Sequence, residues 1–157
     1  MAKEQDRPGI NPLVHPPMVA VTFIVIAYFL GRFVPLPFAA PPILRDIGLL
    51  LTFVGFLFGI GALLEFRKAR TTLDPHGSVR QLVTSGIYRF TRNPIYLGFL
   101  LMVIGLPLSS GLYWGFVMAP FYILTMDRLV IEREESYLEK KFRDVYPGYK
   151  ARVRRWL

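Results

Sequence analysis

Two clusters of polar side chains border apolar runs in this chain, and both have the residue types to hold a charged ligand. The first is Arg92-Asn93-Pro94-Ile95-Tyr96, preceded by Gly86 and Tyr88. Asn followed by Pro is the signature of a helix start, with Asn as N-cap and Pro at the first helical position, and an arginine just outside can snorkel away from the lipid. The free N–H groups of such a helix start also make a place for a carboxylate. The second cluster is Glu132-Arg133-Glu134-Glu135. It reads either as a solvated helix face or as a grip for the amine or hydroxyl groups of a ligand.

Other chemistries are excluded by composition. The chain has no cysteine, so it has no disulfide framework, no thiol nucleophile and no Cys-based zinc site. Its two histidines, His15 and His76, lie far apart in the sequence, and no metal site is expected.

The elements that must position these clusters are membrane helices. Of 157 residues, 53% are hydrophobic, and charge is absent from Val14 to Gly31, from Ile47 to Leu64 and from Asn93 to Met126. An uncharged apolar run of ~18 residues or more is long enough to cross a ~30 Å hydrocarbon layer as a helix. The third run is long enough for a hairpin of two helices. The expectation is an all-α integral membrane protein with about four transmembrane helices, at about residues 17–33, 43–64, 94–107 and 112–130. Residues 65–93 and 131–157 would stand on the cytoplasmic side. A soluble Rossmann-type enzyme and a β-barrel are both inconsistent with such runs. Four prolines between Val34 and Pro42 exclude a regular helix there, and Leu108 to Gly111 reads as the turn of the hairpin. Residues 1–13 read as a short polar tail without a cleavage-site pattern.

The net charge of +8 is distributed as a topology signal. Lys and Arg number two in the N-terminal tail, two between the first and second spans, six between the second and third, none in the hairpin turn and nine after the fourth. Positive charge collects on the cytoplasmic side, which puts both termini there and favours contact with anionic headgroups over a nucleic-acid partner. The membrane would be the inner or plasma membrane for a bacterial chain. Gly55, Gly59 and Gly61 include a G-x-x-x-G spacing suited to close helix approach. After the fourth span, Leu138, Phe142, Val145, Tyr146, Tyr149, Val153 and Trp156 recur at helical steps, broken at Pro147-Gly148. This amphipathic segment is expected to fold back as a roof over the helix ends rather than lie on the membrane.

Taken together, Leu82-Val83-x-Ser85-Gly86-x-Tyr88-x-x-x-Arg92-Asn93-Pro94-x-Tyr96-x-Gly98 and the later Glu134-Glu135-x-x-Leu138-x-x-x-Phe142-x-x-x-Tyr146-x-x-Tyr149 resemble the motif pair of the isoprenylcysteine carboxyl methyltransferase and phospholipid methyltransferase superfamily. These are integral membrane enzymes that use S-adenosylmethionine. The resemblance covers about Thr72 to the C-terminus; the first two spans match only in being spans. It implies cofactor contacts at Arg80, Gln81, Leu82, Val83, Tyr88, Asn93, Pro94, Ile95, Tyr96 and Glu134, with Glu135 alongside. Two positions depart from the carboxyl methyltransferases. Asn93 stands where they carry a histidine, which removes a titratable group but keeps a hydrogen-bonding one. Val130 stands where they carry a substrate-contacting arginine, and Arg128 lies two residues away.

The function expected from these features is methyl transfer from S-adenosylmethionine to a lipophilic small molecule or lipid entering from the bilayer. Glu134, Glu135 and Arg128 are the catalytic candidates; an amine acceptor needs a base, for which Glu134 and Glu135 are the nearby groups, whereas a carboxylate or thiolate arrives ionised. A non-catalytic membrane partner that keeps the fold is the alternative. A small transporter fits less well, because the spans carry no ionisable residue at membrane depth.

Overall fold

The computed structural model describes residues 8–37, 41–70 and 79–157. The turn-rich stretch 71–78, which contains His76, and the first seven residues lie outside the described residues. The chain forms α1 (Pro16–Phe33), α2 (Pro42–Lys68), a 3₁₀ turn (Gly86–Arg89), α3 (Pro94–Ser109), α4 (Trp114–Met126), a π-turn (Asp127–Ile131), α5 (Glu132–Lys141) and α6 (Tyr146–Arg152). Among the described residues there is no strand. Helices α1, α2 and α3 each carry proline in the first turn, where its missing N–H costs nothing and its fixed φ suits the helix.

Helix α4, the π-turn and α5 form one continuous helix of 28 residues, Trp114–Lys141. The fourth span and the acidic cluster, expected as separate pieces, are therefore one rod. At ~1.5 Å per residue it is about 42 Å long, more than a ~30 Å hydrocarbon layer. Its apolar part ends at Ile131, and Glu134 and Glu135 lie beyond it. Together with α1 and α2 it makes three helices long and apolar enough to span. Helix α3 has 16 residues and does not reach that length. It extends past Pro107 to Ser109, because a proline in the last turns loses only one backbone bond.

The short helix is the central one. Antiparallel α2 and α3 meet at two glycine pairs, Gly48 with Gly105 and Gly55 with Gly98. A Cβ on Gly98 would stand 2.6 Å from the Gly55 carbonyl oxygen, and one on Gly105 would stand 2.7 Å from that of Gly48. Glycine spacing of seven, not the expected four, lets the backbones touch; a Cβ on Gly59 would meet no atom within 4 Å. Around this pair, Val25, Phe29, Leu49, Phe53, Phe56, Phe121 and Leu124 point outward. That outward apolar surface is what a bilayer covers.

The glycine register also recesses the start of α3. Past Gly55, α2 continues for 13 residues to Lys68, whereas α3 begins 4 residues before Gly98. The nine-residue difference is about 14 Å of helix. The start of α3 thus lies at the bottom of a well walled by the ends of α2 and of the α4–α5 rod.

Candidate active site

The well holds a cavity open to solvent and lined mostly by apolar and aromatic groups. Small-molecule sites have this kind of lining, apolar and aromatic with a few convergent polar groups. Asn93, Pro94, Ile95 and Tyr96 make its floor, Gln81, Leu82, Val83 and Tyr88 one wall, and Glu134, Glu135, Tyr137 and Leu138 the opposite wall. Tyr146 and Tyr149 of α6 close it from above, as the roof expected of the C-terminal segment. The Tyr149 hydroxyl donates to the Tyr88 carbonyl at 2.7 Å, tying roof to wall. Burial raises the Tyr88, Tyr146 and Tyr149 phenols, so they stay neutral.

Two expected residues lie elsewhere. Arg80 does not line the cavity. Arg128 projects from the rod with its side chain 68% exposed and pairs with Glu132 at 3.3 Å. Arg133 also faces away from the cavity: it donates to the Gly9 carbonyl at 2.7 Å, holding the N-terminal segment whose Pro8 touches the cavity rim.

Glu134 carries the charge of the site. The Tyr96 hydroxyl donates to its Oε1 at 2.7 Å, and among the described residues no cation pairs with it. Its remaining accessible surface faces the cavity. Burial among protein atoms pushes its carboxyl up to about 7, a rise moderated by the Tyr96 hydrogen bond and reinforced by the charge of Glu135. Tyr96 is itself steadied by its backbone, whose carbonyl accepts from the Tyr122 hydroxyl at 3.2 Å.

Glu135, one residue on, is bound in the opposite way. Arg155 donates to both its oxygens at 3.1 and 2.8 Å, Arg92 donates to Oε1 at 2.8 Å, and Lys150 lies 3.7 Å from Oε2. Burial pushes its carboxyl up, but the Arg155 hydrogen bonds and the charges of Arg92, Arg155 and Lys150 outweigh this and hold it below the usual range. Arg92 does not snorkel: its side chain is 9% exposed, its second amine donates to the Lys150 carbonyl at 3.0 Å, and its Nε is buried without a partner.

Asn93 occupies the N-cap position but makes no side-chain cap bond. Its amide donates instead to the Arg155 carbonyl at 3.0 Å, as does the Thr91 hydroxyl, and the Arg92 N–H donates to the Arg154 carbonyl. The C-terminal tail thereby competes with the helix for the capping side chain, and the first-turn N–H groups of α3 are left without one. Glu65 is a site-building residue that neither sequence cluster contains. Its Oε2 accepts from the Ser85 hydroxyl at 2.6 Å and its Oε1 from Lys68 at 2.8 Å. Gly86 lies against it with φ +57°, where a Cβ would stand 2.6 Å from Oε1. This contact docks the turn carrying Tyr88 onto the end of α2.

The phospholipid methyltransferase model matches residues 44–145, which is 102 of the 157 residues. The chain belongs to the phospholipid methyltransferase family. It is a membrane methyltransferase by that membership. The match begins inside α2, further toward the N-terminus than the motifs reach, and stops before α6. Over 75 residues the chain is 35% identical to the protein-S-isoprenylcysteine O-methyltransferase of Schizosaccharomyces pombe, covering 46% of this chain and 30% of that enzyme. The chain thus spans under a third of the length of that relative. It is also 41% identical over 63 residues to an uncharacterised protein of Haemophilus influenzae, covering 40% of this chain and all of that one. No solved structure matches.

Proposed function

We propose that the chain is an S-adenosylmethionine-dependent methyltransferase acting on a lipophilic small molecule or lipid, with the cofactor in the well above α3. The carrying observation is Glu134, a carboxylate aimed into an apolar cavity without a counter-ion. A buried unpaired charge is costly, and in a family of methyltransferases the missing partner is best supplied by a cationic ligand. The residues fit S-adenosylmethionine in kind: a free carboxylate for positive charge, aromatic and aliphatic walls for the adenosyl part, and uncapped helix N–H groups for its carboxylate. When bound, the cofactor supplies a methyl group on a sulfonium, open to in-line displacement by a nucleophile.

The roles of the chain's own residues follow from their positions. Glu134 would face the ligand's positive charge, and Tyr96 would fix the direction of that carboxylate. Gln81, Leu82, Val83 and Ile95 would line the adenosyl side, and Tyr88, Tyr146 and Tyr149 would keep water out, which favours loss of positive charge from sulfur. Glu134 is also the carboxylate suited to accept a proton from an amine acceptor, its affinity for protons lying near neutral pH; Glu135 is engaged by three cations. Most of the rate would come from holding acceptor and methyl in line. The well lies between helix ends whose outer faces are apolar, which supports an acceptor arriving from the bilayer. The charge distribution supports a cytoplasmic site, with both termini on that side.

The test is equilibrium binding of labelled S-adenosylmethionine to the purified chain in detergent or nanodiscs. Binding is expected for the wild type and lost in Glu134→Ala with helix content retained. Absence of binding by the folded wild type in both environments overturns the reading.

A further inference from the structure

The two adjacent carboxylates have opposite surroundings, and Arg155, which lies outside the family match, contacts one of them together with Asp127. Asp127 opens the π-turn and Glu135 lies four residues past its end, in α5, eight positions from Asp127. In an unbroken α-helix the residue on the same face as Asp127 two turns later is seven on, which is Glu134. A π-turn takes up one additional residue, so the residue in line becomes Glu135. The guanidinium of Arg155 closes on both: NH1 lies 3.4 Å from Asp127 Oδ1, while NH2 and Nε reach Glu135. Trp156 adds a 3.3 Å hydrogen bond to the same Asp127 oxygen. Arg92 and Lys150 also hold Glu135, but neither pairs with Asp127, so neither fixes the register across the turn.

We propose that Arg155 is a positioning residue: by bridging Asp127 and Glu135 it holds the π-turn closed and so presents Glu134, rather than Glu135, to Tyr96 and the cavity. The C-terminal tail is then a register clamp as well as a roof. Its consequence for ligand binding rests on the reading of Glu134 given above, but the register itself can be tested without ligand.

The reporter is Tyr96, the hydrogen-bond donor to Glu134. A fluorotyrosine placed at position 96 of the full chain is followed by fluorine NMR in nanodiscs. Glu134→Leu, which has no acceptor for the Tyr96 hydroxyl, moves its resonance and defines the signal of the broken contact. Arg155→Ala is expected to move it to the same place, and the double variant no further. If Arg155→Ala leaves the resonance at its wild-type position, or if the two shifts add in the double variant, the proposal is overturned. Should Arg155→Ala not fold, Asp127→Ala removes one arm of the bridge and is expected to move the resonance in the same direction by a smaller amount; no movement overturns the proposal. S-adenosylmethionine titration of the same samples is a separate readout. A shifted Arg155→Ala resonance alongside a wild type that binds no cofactor upholds the clamp and removes the cofactor assignment.

Discussion

The well has one face where charge is balanced and one where it is not. Around Glu135, a carboxylate meets Arg92, Arg155 and Lys150, and the tail backbone satisfies Thr91 and Asn93. Around Glu134, a carboxylate meets a tyrosine hydroxyl and an apolar cavity. The two acids are neighbours in the chain and nearly identical in chemistry, yet one serves as an internal tie and the other as an open valence. The balanced face should therefore govern stability and the unbalanced one ligand affinity and its pH dependence.

The largest expected effect tests the tie. Glu135→Gln leaves the buried Arg92 facing no anion and Arg155 only Asp127, and breaking a buried pair from one side costs about 3–5 kcal/mol. Thermal unfolding in detergent should show a large drop in midpoint; a midpoint within a degree or two of wild type breaks the contrast. Glu134→Gln should do the reverse, keeping or raising the midpoint of the ligand-free chain. Its expected loss is in S-adenosylmethionine affinity, about 10- to 100-fold, the ~1.5–3 kcal/mol of a hydrogen bond to a charged group.

The pH dependence sharpens the same contrast. Folded Glu134 keeps its proton up to about 7, whereas the unfolded carboxyl loses it near 4.3. Between these values the folded chain binds more protons, so this group's contribution to stability falls as pH rises. The depressed Glu135 acts in the opposite sense, its contribution being lost only in more acid solution. Stability of the ligand-free wild type should thus decline from pH 5 to 8, and the decline should flatten in Glu134→Gln. Affinity for a cationic cofactor should rise across the same interval, since the ionised carboxylate is the binding form. Tyr96→Phe should have the smallest effect, removing one hydrogen bond to Glu134 and weakening binding about 5- to 10-fold, with the pH midpoint moved up because a bond that lowers it is gone.

Much of the architecture is legible along the chain. Apolar runs mark the spans, Asn93-Pro94 marks a helix start, and the aromatic stripe marks the roof, because each depends on local composition and helical period. The paired motifs lead to the family for the same reason. What escaped the sequence depends on partners distant in the chain. Asn93 has the form of a cap, but the Arg155 carbonyl, 62 residues away, takes its amide. Arg92 has the form of a snorkelling cation, but Glu135 buries it. Glu65 looks like the charged edge of a span and carries no local sign that Ser85 and Gly86 will dock on it.

Sequence alone thus determined an apolar helical chain with a polar end, the two motifs at that end and the family they indicate. Composition and period are local properties that the chain carries whatever it packs against. Tertiary structure decided the depth of the well, through glycine contacts seven residues apart that set α3 against α2. It also decided which acidic residue faces the cavity. One additional residue in a helical turn rotates everything after it, and only the contacts made across the fold determine where that residue is accommodated.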